Sequence, residues 1–219
     1  YEEMLEMASL GAKVLQTRSV ELAMAKKVPL RVLSSFIEPD DHGVLPDKGG
    51  TLICDEEEIV EKRIVSGVTM SRDEARITLL GLDDRTDAPA DVFTRLAEAG
   101  VNVDMIVQSQ SRTEGAVNLT FTTGRRDATR AAELMRAAQG DIGFQEIRLD
   151  EDVAKVSVVG VGMRSHAGVA QTMFRALADK GIKFQAISTS EIKISVLIDA
   201  AYAELAVRAL HSAYGLEAV

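Results

Sequence analysis

Three histidines and one cysteine are the side chains of this sequence with the strongest ligating or nucleophilic habits, and none is placed to use them. His42, His166 and His211 are scattered, and Cys54 stands alone. A zinc site needs clustered ligands, and a nucleophile needs a base and an orienting group within reach. No catalytic residue and no metal ligand is therefore assigned. The segment best suited to ligand chemistry is GVGMRSHAG, residues 160–168, glycine-rich between an apolar run and a helical pattern. It lacks the Gly-Lys-Ser/Thr ending of a phosphate loop and the spacing of a dinucleotide loop. Two readings remain, a tight turn or a small-molecule site. In the second, backbone N–H groups at the helix start by Gly168 face a carboxylate, helped by the helix dipole. STSEI, residues 188–192, adds hydroxyls and the Glu191 carboxylate, which accept from an ammonium group. A free amino acid carries both charges.

The elements that must hold these residues form a duplication with a period of about 79 residues. ARITLLGL (75–82) matches AKVSVVGV (154–161), and VFTRLAEAGVNV (92–103) matches MFRALADKGIKF (173–184). NLTFTT (118–123) matches KISVLI (193–198), and alanine-rich amphipathic segments follow at 127–138 and 202–213. The order strand, helix, strand, strand, helix predicts two βαββαβ units. Gly100 and Gly181 stand where a helix ends in the left-handed conformation. The last strand of the first unit is expected at 143–150. The second unit lacks one, while a surplus strand, 61–71, precedes the first. That strand is expected to complete the second unit and interlock the two.

Upstream, helices are expected from Glu3 to a break at Gly11 and over residues 19–27, with a buried strand over 30–36. One strand is not a domain, so residues 1–37 read as the end of a missing α/β domain. Residues 38–62 hold two of the four prolines, three glycines and the acidic run 55–58, and read as a linker.

With 219 residues the chain can hold one or two domains. Its 34 acidic against 25 basic residues, net −9, argue against nucleic-acid binding. An RNA-recognition module shares the βαββαβ order but needs exposed aromatics and a basic face. A single cysteine allows no internal disulfide and suits a reducing compartment. No run is long and apolar enough to span a membrane, and the expected location is cytoplasmic. The start at Tyr1 reads as part of a longer chain.

The segments GVGMRSHAGVA, AISTSEIKISVLI and NVDMIVQ resemble the tandem ACT regulatory repeats of the aspartokinase family, and residues 2–23 resemble the last part of its amino-acid-kinase domain. The resemblance implies an α+β fold of two interlocked ferredoxin-like ACT domains, residues 63–150 and 151–219. Before them stand a kinase-domain remnant and a linker. It implies the regulatory portion of an ATP-dependent enzyme that phosphorylates L-aspartate, under feedback control by lysine and/or threonine. The family's Lys-Phe-Gly-Gly motif has no counterpart here, so this chain is expected to be inactive alone and to carry no cofactor, ATP and Mg belonging to the complete enzyme. Family effector positions fall on Asp84, Asn102, Gln108 and Ser111 in the first repeat. In the second they fall on Met163, Ser165, His166, Ser188, Thr189 and Glu191, where the same pattern could instead serve the interface between repeats. The first-repeat loop departs from the family, with Thr86 and Asp87 in place of Pro-Gly. The implied partners are lysine and/or threonine and a second copy through the ACT domains, with no nucleic acid and no membrane. The alternative is an ACT module that only dimerises.

Overall fold

The structure, a computed structural model, describes residues 1–46, 49–55, 64–160, 163, 166 and 168–216. Its main body is one six-stranded antiparallel sheet in the order β4-β5-β3-β6-β8-β7. The strands are β3 (Gly67–Asp83), β4 (Val103–Gln110), β5 (Ala116–Thr123), β6 (Glu146–Val159), β7 (Phe184–Thr189) and β8 (Lys193–Asp199). The two central strands are far longer than the usual five or six residues. Residues 143–150 and 154–161, expected as separate strands, are joined in β6, which runs without a break through the junction of the repeats.

Hydrogen-bond register explains why the repeats interlock. Ile77 to Leu79 of β3 pair with Phe121 to Leu119 of β5 and with Leu149 to Ile147 of β6, closing the first unit. The earlier part of β3 pairs with the other half of β6, Thr69 opposite Ser157 and Ser71 opposite Lys155. Gln145 N–H donates to Leu80 O at 2.9 Å, and Ser66 N–H donates to Val159 O at 2.8 Å. These bonds occupy equivalent places in the two repeats. Residues 66–71 therefore fill in the second unit the place that 145–150 fill in the first. Gly160 permits this, because a Cβ there would lie 2.0 Å from Ile64 O.

Helices cover one face. In the first unit α3 (Ala88–Glu98) and α4 (Arg125–Ala137) close a core of Ile77, Leu79, Leu96, Leu119, Phe121 and Met135. In the second, α6 (Val169–Asp179) and α7 (Ala203–Ala213) close one of Val156, Val158, Met173, Leu177, Val196 and Leu210. A short helix, α5 (Gln139–Ile142), leads into β6. Alternation along the strands sends these apolar residues to the helical side and hydroxyls to the other. Gly100 and Gly181 both take φ +68, as the pattern after each helix demands.

The first 55 residues differ from expectation. Helices α1 (Glu2–Ser9) and α2 (Thr17–Lys26) form, but the strand expected over 30–36 is only Leu30–Val32 (β1), and Phe36 is 93% exposed. Its partner lies inside the segment read as linker: Thr51–Ile53 forms β2, with Leu30 opposite Ile53. Composition hid β2, since a three-residue β-prone patch in a glycine-rich, acidic stretch gives no periodicity. The segment also docks. Glu6 pairs with Lys193, Ser66 Oγ donates to Glu3, and Thr69 Oγ1 donates to Leu10 O at 3.2 Å.

Candidate functional site

In each unit the end of the first strand is bonded to the hairpin between the next two strands. In the first unit Asp84 N–H donates to Gly115 O at 3.0 Å; in the second, Gly160 N–H donates to Ile192 O at 3.0 Å. Because β3 and β6 are antiparallel, the two loops lie at opposite ends of the sheet.

The first loop is exposed at Asp84 and Asp87. Arg85 crosses it, with Nη1 2.8 Å from Asp87 and Nη2 2.7 Å from Asp91, and it also donates to Asp141 O at 3.2 Å. The bond to Asp91 raises its pKa above the usual guanidinium value, with the Asp87 charge adding to it. Asp87 is thus already engaged by an internal cation. Gly115 brings the β4–β5 hairpin beside Asp84, and Ser111 lies in that hairpin, its Oγ accepting from Thr113 N–H at 3.2 Å. Gln108 is exposed on edge strand β4, opposite Leu119. Asn102 precedes β4, and its carbonyl accepts from Thr123 Oγ1 at 2.7 Å. The eight residues of β4 put roughly 25 Å between Asn102 and Ser111. Asp84, Gln108 and Ser111 share one end of the unit, and Asn102 lies at the other.

In the second unit Met163 is buried, packed into the core with Val65 and Val169. His166 is exposed and lines a cavity of about 710 Å³ with Gly168, Gln171, Thr172 and Tyr214, at the start of α6. Tyr214 Oη donates to Val169 O at 2.7 Å. Burial pushes its pKa up to about 12, against a smaller downward pull from the Met173 backbone. Ser188 stands opposite Ser195, whose hydroxyl lies 2.7 Å from that of Ser157 in a buried row across the sheet. Thr189 and Glu191 are exposed at the β7–β8 hairpin. Ser165 lies outside the described residues.

Sequence reading does not single out the charged group at the centre of the non-helical face. Lys155 Nζ lies 2.7 Å from Glu74 Oε1 and also bonds Asp104, with the Lys155 and Glu74 side chains 7% and 8% exposed. Burial alone would lower the Lys155 pKa; the bonds to Asp104 and Glu74 outweigh it, and the net shift is upward. A lysine within the apolar run AKVSVV was the signal for a buried partner. Among the described residues no group of three His, Cys, Asp or Glu side chains could hold a metal ion, and no helix is long and apolar enough to cross a membrane.

Comparison with known proteins assigns this geometry. The ACT domain family model matches residues 77–139 and 156–214. The chain is 50% identical to the aspartokinase of Pseudomonas aeruginosa over 220 residues, which is all of this chain and 51% of that protein. It thus spans about half the length of the aspartokinases it matches. Among solved structures, the ligand-free regulatory subunit of aspartate kinase from Thermus thermophilus is 42% identical, with a TM-score of 0.64. That match covers 68% of this chain and 98% of the other. Aspartokinase III of E. coli in complex with lysine and aspartate, a T-state structure, is 25% identical with a TM-score of 0.68 over 96% of this chain and 44% of that one. Tandem repeats fused through one sheet, matched along nearly the full length of a regulatory subunit, place the chain in the aspartokinase family as the ACT-domain regulatory portion.

Proposed function

We propose that this chain senses an aspartate-family amino acid, lysine and/or threonine, for an enzyme that phosphorylates L-aspartate with ATP. In this reading residues 1–37 belong with the kinase domain and 38–62 link it to the ACT units, 63–150 and 151–219, with 63–71 completing the second. The observation that carries the proposal is the recurrence, in both ACT units, of a backbone bond from the end of the first strand to the next hairpin, with acidic side chains near it for an ammonium group and a helix N-terminus for a carboxylate. Asp84, Gln108 and Ser111 are the contacts favoured in the first unit, with Asn102 at the start of the same strand. His166, Ser188, Thr189 and Glu191 are favoured in the second, with Ser165 in the same loop and Met163 supporting that loop from the core. The related E. coli enzyme in complex with lysine supports the ligand class. The enzyme is expected in the cytoplasm as a homodimer through its ACT units.

Feedback control requires the effector to bind one arrangement of the units more tightly than another, a coupling typically of about 1–3 kcal/mol. Titration calorimetry with lysine, threonine and methionine tests this. Saturable heat with at least one is expected; none with any of the three would sink it. A second reading, dimerisation without effector binding, is favoured by the Asp87–Arg85 pair, which sets a carboxylate inside the first loop. Sedimentation with and without each amino acid separates the two.

A further inference from the structure

The sheet is curled so that its outermost strands, β4 and β7, touch although four strands separate them in the order. Two features hold them there. Met105 of β4 packs with Val153, Leu197 and Ala186. Beside it, Lys155 on β6 reaches across the non-helical face to Asp104 of β4 while holding Glu74 of β3. No backbone ladder joins β4 to β6, so this ion pair is a tie between units that the sheet itself does not supply.

The tie is one-sided. The repeat-equivalent of Lys155 is Arg76, which pairs instead with Asp150 on the adjacent strand at 3.0 Å. The repeat-equivalent of Asp104 is Gln185, which carries no charge. The first unit's outer strand is therefore fastened to the second unit by charge, and among the described residues the second unit's outer strand has no matching ion pair. Lys155 is nine-tenths buried and its two carboxylate partners stand on different strands, so the bridge couples the placement of β4 to that of β3 and β6.

We propose that Lys155 is a positioning residue. Bridging Glu74 and Asp104, it sets how β4 lies over the second unit, and a shift of β4 at its Gln108 end is passed to β6 through Asp104. The second clause rests on Gln108 contacting an effector; the first does not.

The test uses spin labels at Ser109→Cys and Gln185→Cys, both exposed, in a Cys54→Ala background. Asp104 is half-exposed, so Asp104→Asn should fold. The inter-label distance is expected to lengthen and broaden in Asp104→Asn and to recover in Asp104→Glu. A distribution identical to the parent's in Asp104→Asn overturns the proposal. The paired change Lys155→Met with Glu74→Gln, which leaves no buried charge alone, must reproduce the broadening; if it does not, the proposal also fails. Where the parent binds lysine or threonine, Asp104→Asn should shift that affinity by about fivefold or more. Unchanged affinity overturns the transmission clause. A parent that binds neither sinks the effector reading, and the label distance alone then decides the positioning role.

Discussion

Tyr214 shows how one side chain joins a candidate site to the fold's stability. Its hydroxyl donates to Val169 at the start of α6, and its ring closes the cavity beside His166. An unfolded tyrosine ionises near pH 10, whereas this one is pushed up to about 12 by burial. Between those values the unfolded chain binds fewer protons than the folded one, so stability falls as pH rises through that window. Below it the contribution is constant. Lys155, also raised, adds a fall of the same sign in alkali. Tyr214→Phe should cost about 1 kcal/mol at neutral pH through the lost hydrogen bond, and should flatten the fall between about pH 10 and 12. Urea melts of both proteins across that range check it; parallel pH profiles would count against it.

The strands carry the clearest lesson about what a sequence reveals. The two helix-ending glycines and the alternation of ARITLLGL and AKVSVVGV placed the strands of both repeats and both cores, because burial on one face enforces period two. The interlock was legible too, since one repeat lacked a strand and the other had one spare. What pattern could not show was continuity: β6 passes through Asp150 to Val153, a polar stretch that reads like a turn but pairs with β3 on one side. Nor could it show the Lys155 partners, one of them on a strand 51 residues away. In the candidate sites, residue types were readable by resemblance, but their separation was not: only the register puts Asn102 and Ser111 at opposite ends of β4. The close approach at Gly160 gives an element-scale test. Gly160→Ala forces a Cβ to within 2.0 Å of the Ile64 carbonyl, a backbone atom that cannot swing aside. A loss of more than about 2 kcal/mol is expected, within the range of core overpacking. Gly140→Ala, in α5 with open space around it, should be neutral or stabilising by up to about 1 kcal/mol. Equal effects in denaturant melts would contradict the interlock as the reason for that glycine.

For the molecule as a whole, two hydrophobic cores share two strands, so they should melt as one. A single cooperative transition is expected in calorimetry; two resolved transitions would show that the units are separable. The same sharing governs how the chain comes to be folded. Residues 66–71 bond to 155–159, partners that emerge from synthesis roughly ninety residues later. The opening strand of the sheet must therefore wait, half-paired, for the whole first repeat to pass. Contacts so distant in sequence slow folding and leave an unsatisfied edge exposed in the meantime. A gene encoding this region cannot be divided at the boundary its repeats suggest: a chain ending at Asp150 keeps every residue of the first repeat yet leaves 67–71 with no partner strand.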